Sequence, residues 1–217
     1  VLYINGEDKD TFLQNLISND IKKVSETNSC FASLLTPQGK YLFEFIITKH
    51  KKGYFLECEK KIIDELFIKL NSYKFRSKVE ILNLSNEFVV AVLSREKFLT
   101  LENSKDVLGY TTKFREDPIY LDPRHKDLGA RLITNLEKLH LSLKLLELKS
   151  SNLDEYYSVS NKLGIPQINT DKLQNNLFGI ECNLNELNGI DFKKGCYVGQ
   201  ENTARIKLKD KLSKSCL

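Results

Sequence analysis

Lys193-Lys194-Gly195-Cys196-Tyr197-Val198-Gly199-Gln200-Glu201 sets two glycines around a cysteine and a tyrosine. Glycine adopts backbone conformations closed to other residues and lets a second group approach the main chain closely. Lys193 and Lys194 place positive charge beside the Cys196 thiol, and such charge favours the thiolate. Gln200 and Glu201 add an amide and a carboxylate within one turn. Read from these residues alone, the segment is either a reactive site or a charged surface turn with an incidental cysteine, since free cysteines often serve as inert packing.

The rest of the composition narrows the setting. With 217 residues the chain is long enough for one large domain or two small ones and for a substantial core. Apolar content of 41% and charged content of 29% are those of a water-soluble globular protein. No apolar run approaches the ~18 residues that cross a bilayer, so no membrane partner is expected. A net charge of +4 permits an anionic ligand without demanding one. The lysine-rich segments 49–52, 60–61 and 207–214 read as solvated faces, with no stacking platform beside them, and no nucleic-acid partner is expected. Cys30, Cys58, Cys182, Cys196 and Cys216 are odd in number and lack paired spacing. A reduced, cytoplasmic protein is therefore expected. His50, His125 and His140 are scattered, and no metal site is expected. The chain begins at Val1, so the lack of a leader carries little information about targeting.

Working outward, the spacing predicts strands over 1–5, 30–35, 41–48, 54–58, 79–84 and 88–93. Gly6 breaks the first, and Asp8 or Asp10 is placed to cap a helix carrying Phe12, Leu13, Leu16 and Ile17 on one face. Thr36-Pro37-Gln38-Gly39-Lys40 is a turn, because proline fixes φ and glycine supplies the permissive position. Residues 60–73 form the clearest amphipathic helix. A short helix is expected over 95–101, irregular chain over 103–117, and strands over 119–121 and 128–133. Leu139, Leu141, Leu143 and Leu145 alternate with polar residues, which predicts a strand, with a helix from Leu136 as the alternative. Asn152 caps a helix running to Leu163, stopped by Gly164 and Pro166. The expected fold is α+β: two related halves, 1–93 and 94–217, with largely antiparallel sheets.

Residues 193–201 resemble the Lys-Gly-Cys-Tyr-x-Gly-Gln-Glu signature of the YgfZ-type folate-binding proteins, relatives of the glycine cleavage T-protein, an aminomethyltransferase. The lead-in Glu181-Cys182-Asn183-Leu184, Leu187-Asn188-Gly189-Ile190 and Phe192 is similar as well. So are Gly6-Glu7-Asp8, Phe12-Leu13-Gln14, Asn19-Asp20, the 36–40 turn, Asp122-Pro123-Arg124, Leu128-Gly129-Ala130-Arg131 and Gly164-Ile165-Pro166. The likeness thus runs in patches from Gly6 to Arg205. In the family a small β-barrel domain follows, and here the C-terminal β-barrel is expected to be absent. Four positions depart from the pattern. Phe43 and Glu44 stand where T-proteins carry an acidic pair, Ser160 stands for an Arg, and Gln167 for an acid.

The resemblance implies tetrahydrofolate, or a one-carbon-substituted folate, as cofactor. It implies a role supporting assembly or repair of iron–sulfur clusters through transient contact with client or assembly proteins. A folate needs an apolar, aromatic slot with a few aligned polar groups. Glu181, Gln200 or Glu201 would pair with the pterin's amino edge, and Tyr41 or Tyr197 would stack on its ring. Arg124 and Arg131 would fork the tail carboxylate. Asn19, Asp20, Lys194 and Arg205 complete the implied set, and Cys196 is the implied functional thiol. One thiolate does not hold a cluster alone, so any cluster contact would be shared. The alternative is a folate-dependent aminomethyltransferase, for which Glu44 is the proton-transferring acid.

Overall fold

The computed structural model describes residues 1–215. In chain order these form β1 (Leu2–Asn5), α1 (Lys9–Leu16), β2 (Cys30–Leu35), β3 (Tyr41–His50), β4 (Gly53–Glu57), α2 (Ile63–Lys74), β5 (Glu80–Asn83), β6 (Val89–Leu93) and α3 (Arg95–Leu99). There follow β7 (Thr111–Phe114), β8 (Asp117–Leu121), β9 (Ala130–Thr134), α4 (Leu136–Leu145), α5 (Leu153–Lys162) and α6 (Gln200–Ser215). The fold is α+β, with two antiparallel sheets ordered β2-β3-β4-β1-β5 and β6-β9-β8-β7. Neither is a closed barrel among the described residues.

The first sheet is apolar on both faces, which is why β2 reads as an unbroken run rather than an alternation. One face buries Ala32, Leu34, Phe43, Phe45, Ile47 and Leu56 against α1 and α2. The other buries Phe31, Leu35, Tyr41 and Phe55 against Tyr120 and Ile133 of the second sheet and against Cys182, Leu184 and Tyr197 from the chain's last third. That last third returns to the first sheet through Tyr41, whose N–H donates to Leu177 O and whose carbonyl accepts from Asn175. Residues 175–177, which lead toward the signature, are thereby pinned to β3, although far from it in sequence. The second sheet packs Ile119, Leu121 and Leu132 on Phe98 of α3.

Several local expectations are corrected. Residues 136–145 are helix, not strand: Asn135 accepts from Lys138 N and caps it, and Leu136, Leu141 and Leu145 lie exposed. Leucine alternating with polar residues outside the core carries no strand signal. Residues 103–117 are not wholly irregular, because β7 forms there and pairs with β8. Neither Asp8 nor Asp10 caps α1. Asp8 accepts from Lys78 N at 2.7 Å, and Asp10 accepts from the Tyr54 hydroxyl, so tertiary partners claim both carboxylates. β6 pairs with β9, so residues 89–93, grouped with the first part by a division at 93/94, belong to the second sheet. The 36–40 turn forms as expected, with Gly39 at φ 80° and its N–H donating to Thr36 O at 2.8 Å.

Candidate functional site

A cavity of about 550 Å³ opens between the two sheets. That is within the roughly 300–1,000 Å³ of small-molecule sites. β3 contributes Glu44, the end of β4 Glu57 and Cys58, β9 Arg131, α5 Tyr156, and the loop after Ile165 supplies Gln167. Phe31, Phe45, Phe88 and Tyr157 add aromatic surface.

Two ion pairs brace its wall. The Asp122 carboxylate accepts from Arg124 Nε (2.9 Å) and its terminal nitrogen (2.7 Å), both residues buried. Arg131 donates to Glu57 from Nε (2.8 Å) and from a terminal nitrogen, while its other terminal nitrogen donates to Tyr156 Oη at 2.6 Å. The Tyr120 hydroxyl donates to the same Glu57 carboxylate. Burial raises the Asp122 carboxyl, but the two arginines outweigh it and hold Asp122 below its usual range. The Gln167 amide is assigned so that its oxygen accepts from Arg124 at 2.9 and 2.6 Å and its nitrogen donates to Tyr156 Oη at 3.2 Å.

Glu44 differs from these. It is buried, and its Oε2 has no hydrogen-bond partner, nor has the neighbouring Tyr41 hydroxyl. Burial pushes its carboxyl up to about 7, against the nearby Arg124 charge. A carboxyl that is half protonated near neutrality donates or accepts, as its partner requires. An unpaired buried polar atom costs about 1–3 kcal/mol, so a ligand that completes it gains that much.

Among the sequence-derived site residues, Arg124 and Arg131 line this cavity, with their forks engaged as described. Tyr41 is fully buried beside Glu44. The others gather elsewhere. Asn19 Nδ2 donates to Phe31 O (2.7 Å) and Asn188 O (2.8 Å). Asp20 caps a single helical turn by accepting from Lys22 N at 3.0 Å. The buried Lys194 ammonium donates to Gln14 O (2.7 Å), Ile17 O (2.6 Å) and Asn19 O (2.8 Å). Tyr197 is buried, its ring centroid 5.0 Å from that ammonium. Cys196 is exposed. Gln200 opens α6, and the exposed Glu201 accepts from Arg205 at 2.6 Å. Glu181 is exposed and accepts from Phe178 N at 2.7 Å. Phe31 links the two regions: its carbonyl holds Asn19, and its ring carries Arg124 at 5.3 Å.

Sequence reasoning missed Glu57 and Tyr156 as parts of this wall. The one available signal was a carboxylate ending the otherwise apolar strand Gly53–Glu57. Among the described residues no group of three His, Cys, Asp or Glu side chains is placed to hold a metal.

Comparison places this geometry among known proteins. No family model matches the chain. The glycine cleavage system aminomethyltransferase T of Bartonella henselae superposes with a TM-score of 0.77 at 14% identity, over 96% of this chain and 60% of that one. The fold is therefore that of the aminomethyltransferases. In sequence the chain is 27% identical to the mitochondrial iron–sulfur cluster assembly factor IBA57 homolog of Dictyostelium discoideum, over 94% of its own length. It is 28% identical over 93% to IBA57 of Mus musculus, and 27% identical over 93% to the tRNA-modifying protein YgfZ of Aliivibrio fischeri. The chain thus has the aminomethyltransferase fold, and in sequence it is similar to IBA57 and YgfZ proteins. It spans 56%, 58% and 62% of the lengths of these three relatives. The cytoplasmic location expected above is overturned, because the IBA57 relatives of D. discoideum, Neurospora crassa and mouse are mitochondrial. Unpaired cysteines report reducing surroundings and do not distinguish the two compartments.

Proposed function

We propose that this protein is a mitochondrial factor in iron–sulfur cluster assembly that binds a tetrahydrofolate between its two sheets and acts on its clients through Cys196. The likeness to IBA57 and YgfZ over nearly the whole chain supports the assembly role. The ligand rests on one observation, the unpaired buried carboxyl oxygen of Glu44 on the wall of an aromatic cavity of about 550 Å³. A pterin fits such a wall, since it is flat and carries hydrogen-bonding edges. Glu44 then orients that edge, Phe31 and Tyr156 exclude water, and Lys60 at the rim receives the tail carboxylate. Arg124 and Arg131 hold the wall rigid rather than reach the ligand, because Asp122, Glu57, Gln167 and Tyr156 already engage most of their donors. When bound, the folate supplies a site that carries a one-carbon unit.

A second reading, one-carbon transfer, is favoured by the same Glu44, whose proton is exchangeable near neutrality. Anaerobic calorimetric titration of tetrahydrofolate into wild type, Glu44→Gln and Glu44→Ala tests the shared premise. Saturable binding that Glu44→Ala weakens at least about tenfold supports the pocket. Absence of heat in wild type overturns it. Glycine-cleavage turnover by the folate-loaded protein would decide for transfer, and Cys196-dependent recovery of client iron–sulfur enzymes for assembly.

A further inference from the structure

We infer that Lys194 is a positioning residue: its ammonium bolts the Cys196-bearing segment to the end of α1 and does not tune the thiol. The inference rests on the reading of Cys196 as the functional thiol. An ammonium has three protons in tetrahedral array. Lys194 spends them on three carbonyls, those of Gln14, Ile17 and Asn19, at 2.6–2.8 Å. Gln14 and Ile17 lie at the C-terminal end of α1, where the last carbonyls lack helical partners and carry partial negative charge. Asp20, Asp191, Lys23 and the buried Cys30 surround the ammonium. Burial pushes it down to about 8, so the three-proton form still predominates at neutral pH.

The neighbouring bonds join the same two segments, the signature's approach and residues 15–23, with donors on both sides. Ser18 Oγ donates to Gly189 O (2.6 Å), and Asp191 N donates to Ser18 O (3.0 Å). Asn19 donates to Asn188 O, and Lys23 pairs with Asp191 at 2.8 Å. The Asp191 carboxylate accepts from Lys193 N (2.7 Å) and Lys194 N (3.2 Å). Val198 N donates to Asn15 O at 3.3 Å. Cys196 emerges between Lys194 and Val198, exposed, on a short span held at both ends. A hydrogen bond from Lys194 to the thiolate requires breaking one of the three carbonyl bonds. The lysine beside the cysteine thus serves geometry, and the exposed Lys193, which has no ion pair among the described residues, is placed to meet an incoming anionic group.

The test is peptide-resolved alkylation of Cys196 by iodoacetamide across pH, with amide hydrogen exchange of residues 188–199, in wild type, Lys194→Met and Lys194→Gln. Exchange in 188–199 should accelerate about tenfold or more in Lys194→Met, while the alkylation midpoint moves by less than about half a unit. Lys194→Gln keeps two donors, so it should fold even where the methionine variant does not, and it should show an intermediate acceleration. An upward shift of about one unit or more in the midpoint overturns the inference, since that is the effect of a charge acting directly on a thiol. Unchanged exchange in both variants overturns it as well. Client-enzyme activity of Cys196→Ser is scored separately. Retained activity there would remove the functional reading of the thiol and leave the exchange data to decide the role of Lys194.

Discussion

Arg131 on β9 and Glu57 at the end of β4 face each other across the two sheets, both buried, and the guanidinium spans both carboxylate oxygens. The Tyr120 hydroxyl donates to the same carboxylate, and Tyr156 Oη receives the arginine's remaining terminal nitrogen. Both charges are almost wholly removed from solvent. Removing one partner leaves the other buried and unpaired, which costs about 3–5 kcal/mol. Arg131→Met should lower stability by that amount in urea unfolding. The Glu57→Met/Arg131→Met pair should recover most of it, because two apolar groups leave no orphaned charge. A double variant as unstable as the single one would show that the site needs the ion pair itself.

Glu44 gives the protein a pH signature. Burial raises its folded carboxyl to about 7, from the 4.5 of a free glutamate side chain. The folded state therefore binds a proton more tightly than the unfolded chain, and its contribution is fully present below the unfolded value. It is lost as pH rises through about 7. Between pH 5 and pH 8 the stability difference between wild type and Glu44→Gln should change by roughly 2 kcal/mol, in favour of wild type at the acid end. The check is urea unfolding of both proteins at a series of pH values. A difference independent of pH would mean that Glu44 is charged in the folded state.

Much of this architecture was legible because local chemistry decided it. The 36–40 turn needed Pro37 and Gly39, the α2 stripe followed from its spacing, and Asn152 capped α5 as its position foretold. The strand expected over 139–145 failed because Leu141 and Leu145 are exposed and Leu139 and Leu143 only half-buried, so their alternation had no buried face to report; the helix alternative from Leu136 is what forms, capped by Asn135. The signature was legible as a block, and Arg124, Arg131, Glu44 and Gln167 of the cavity wall were singled out, but not the pairing that holds the wall together. Glu57 and Arg131 are joined only by the packing of one sheet on another, and no local pattern encodes that pairing.

The two glycines of the signature should behave in opposite ways. Gly199 has φ 85°, and a Cβ there would lie 2.5 Å from Thr36 O, a backbone atom of the 36–40 turn. Gly199→Ala meets both a left-handed backbone and a clash, and should cost at least about 1–2 kcal/mol. Gly195 has no left-handed φ, and a Cβ there would meet nothing within 4 Å. Gly195→Ala should be neutral or stabilise by roughly 0.4–1 kcal/mol, through a less flexible unfolded chain. Thermal unfolding distinguishes the two. If Gly195→Ala keeps its stability yet loses recovery of client enzymes, the missing side chain serves something that approaches Cys196 from outside.

The four cysteines among the described residues separate by environment. Cys30 and Cys182 are buried and Cys58 is partly so, and burial pushes each of their thiols up to about 12. Cys196 is exposed beside Lys193, on the span fixed by Lys194 and Val198. Iodoacetamide at neutral pH should therefore modify Cys196 before these three, since it needs both access and thiolate. Cys196→Ser should keep its unfolding midpoint within about 0.5 kcal/mol of wild type, as expected where no packing is lost. Cys30→Ser places a hydroxyl in the core beside β3 and should destabilise by about 1–3 kcal/mol. Loss of client iron–sulfur enzyme activity in Cys196→Ser at full stability would then be chemical rather than structural. Retained activity in that variant would assign the signature's cysteine to its surface turn, and leave Lys193, Gln200 and Glu201 as the groups that face a partner.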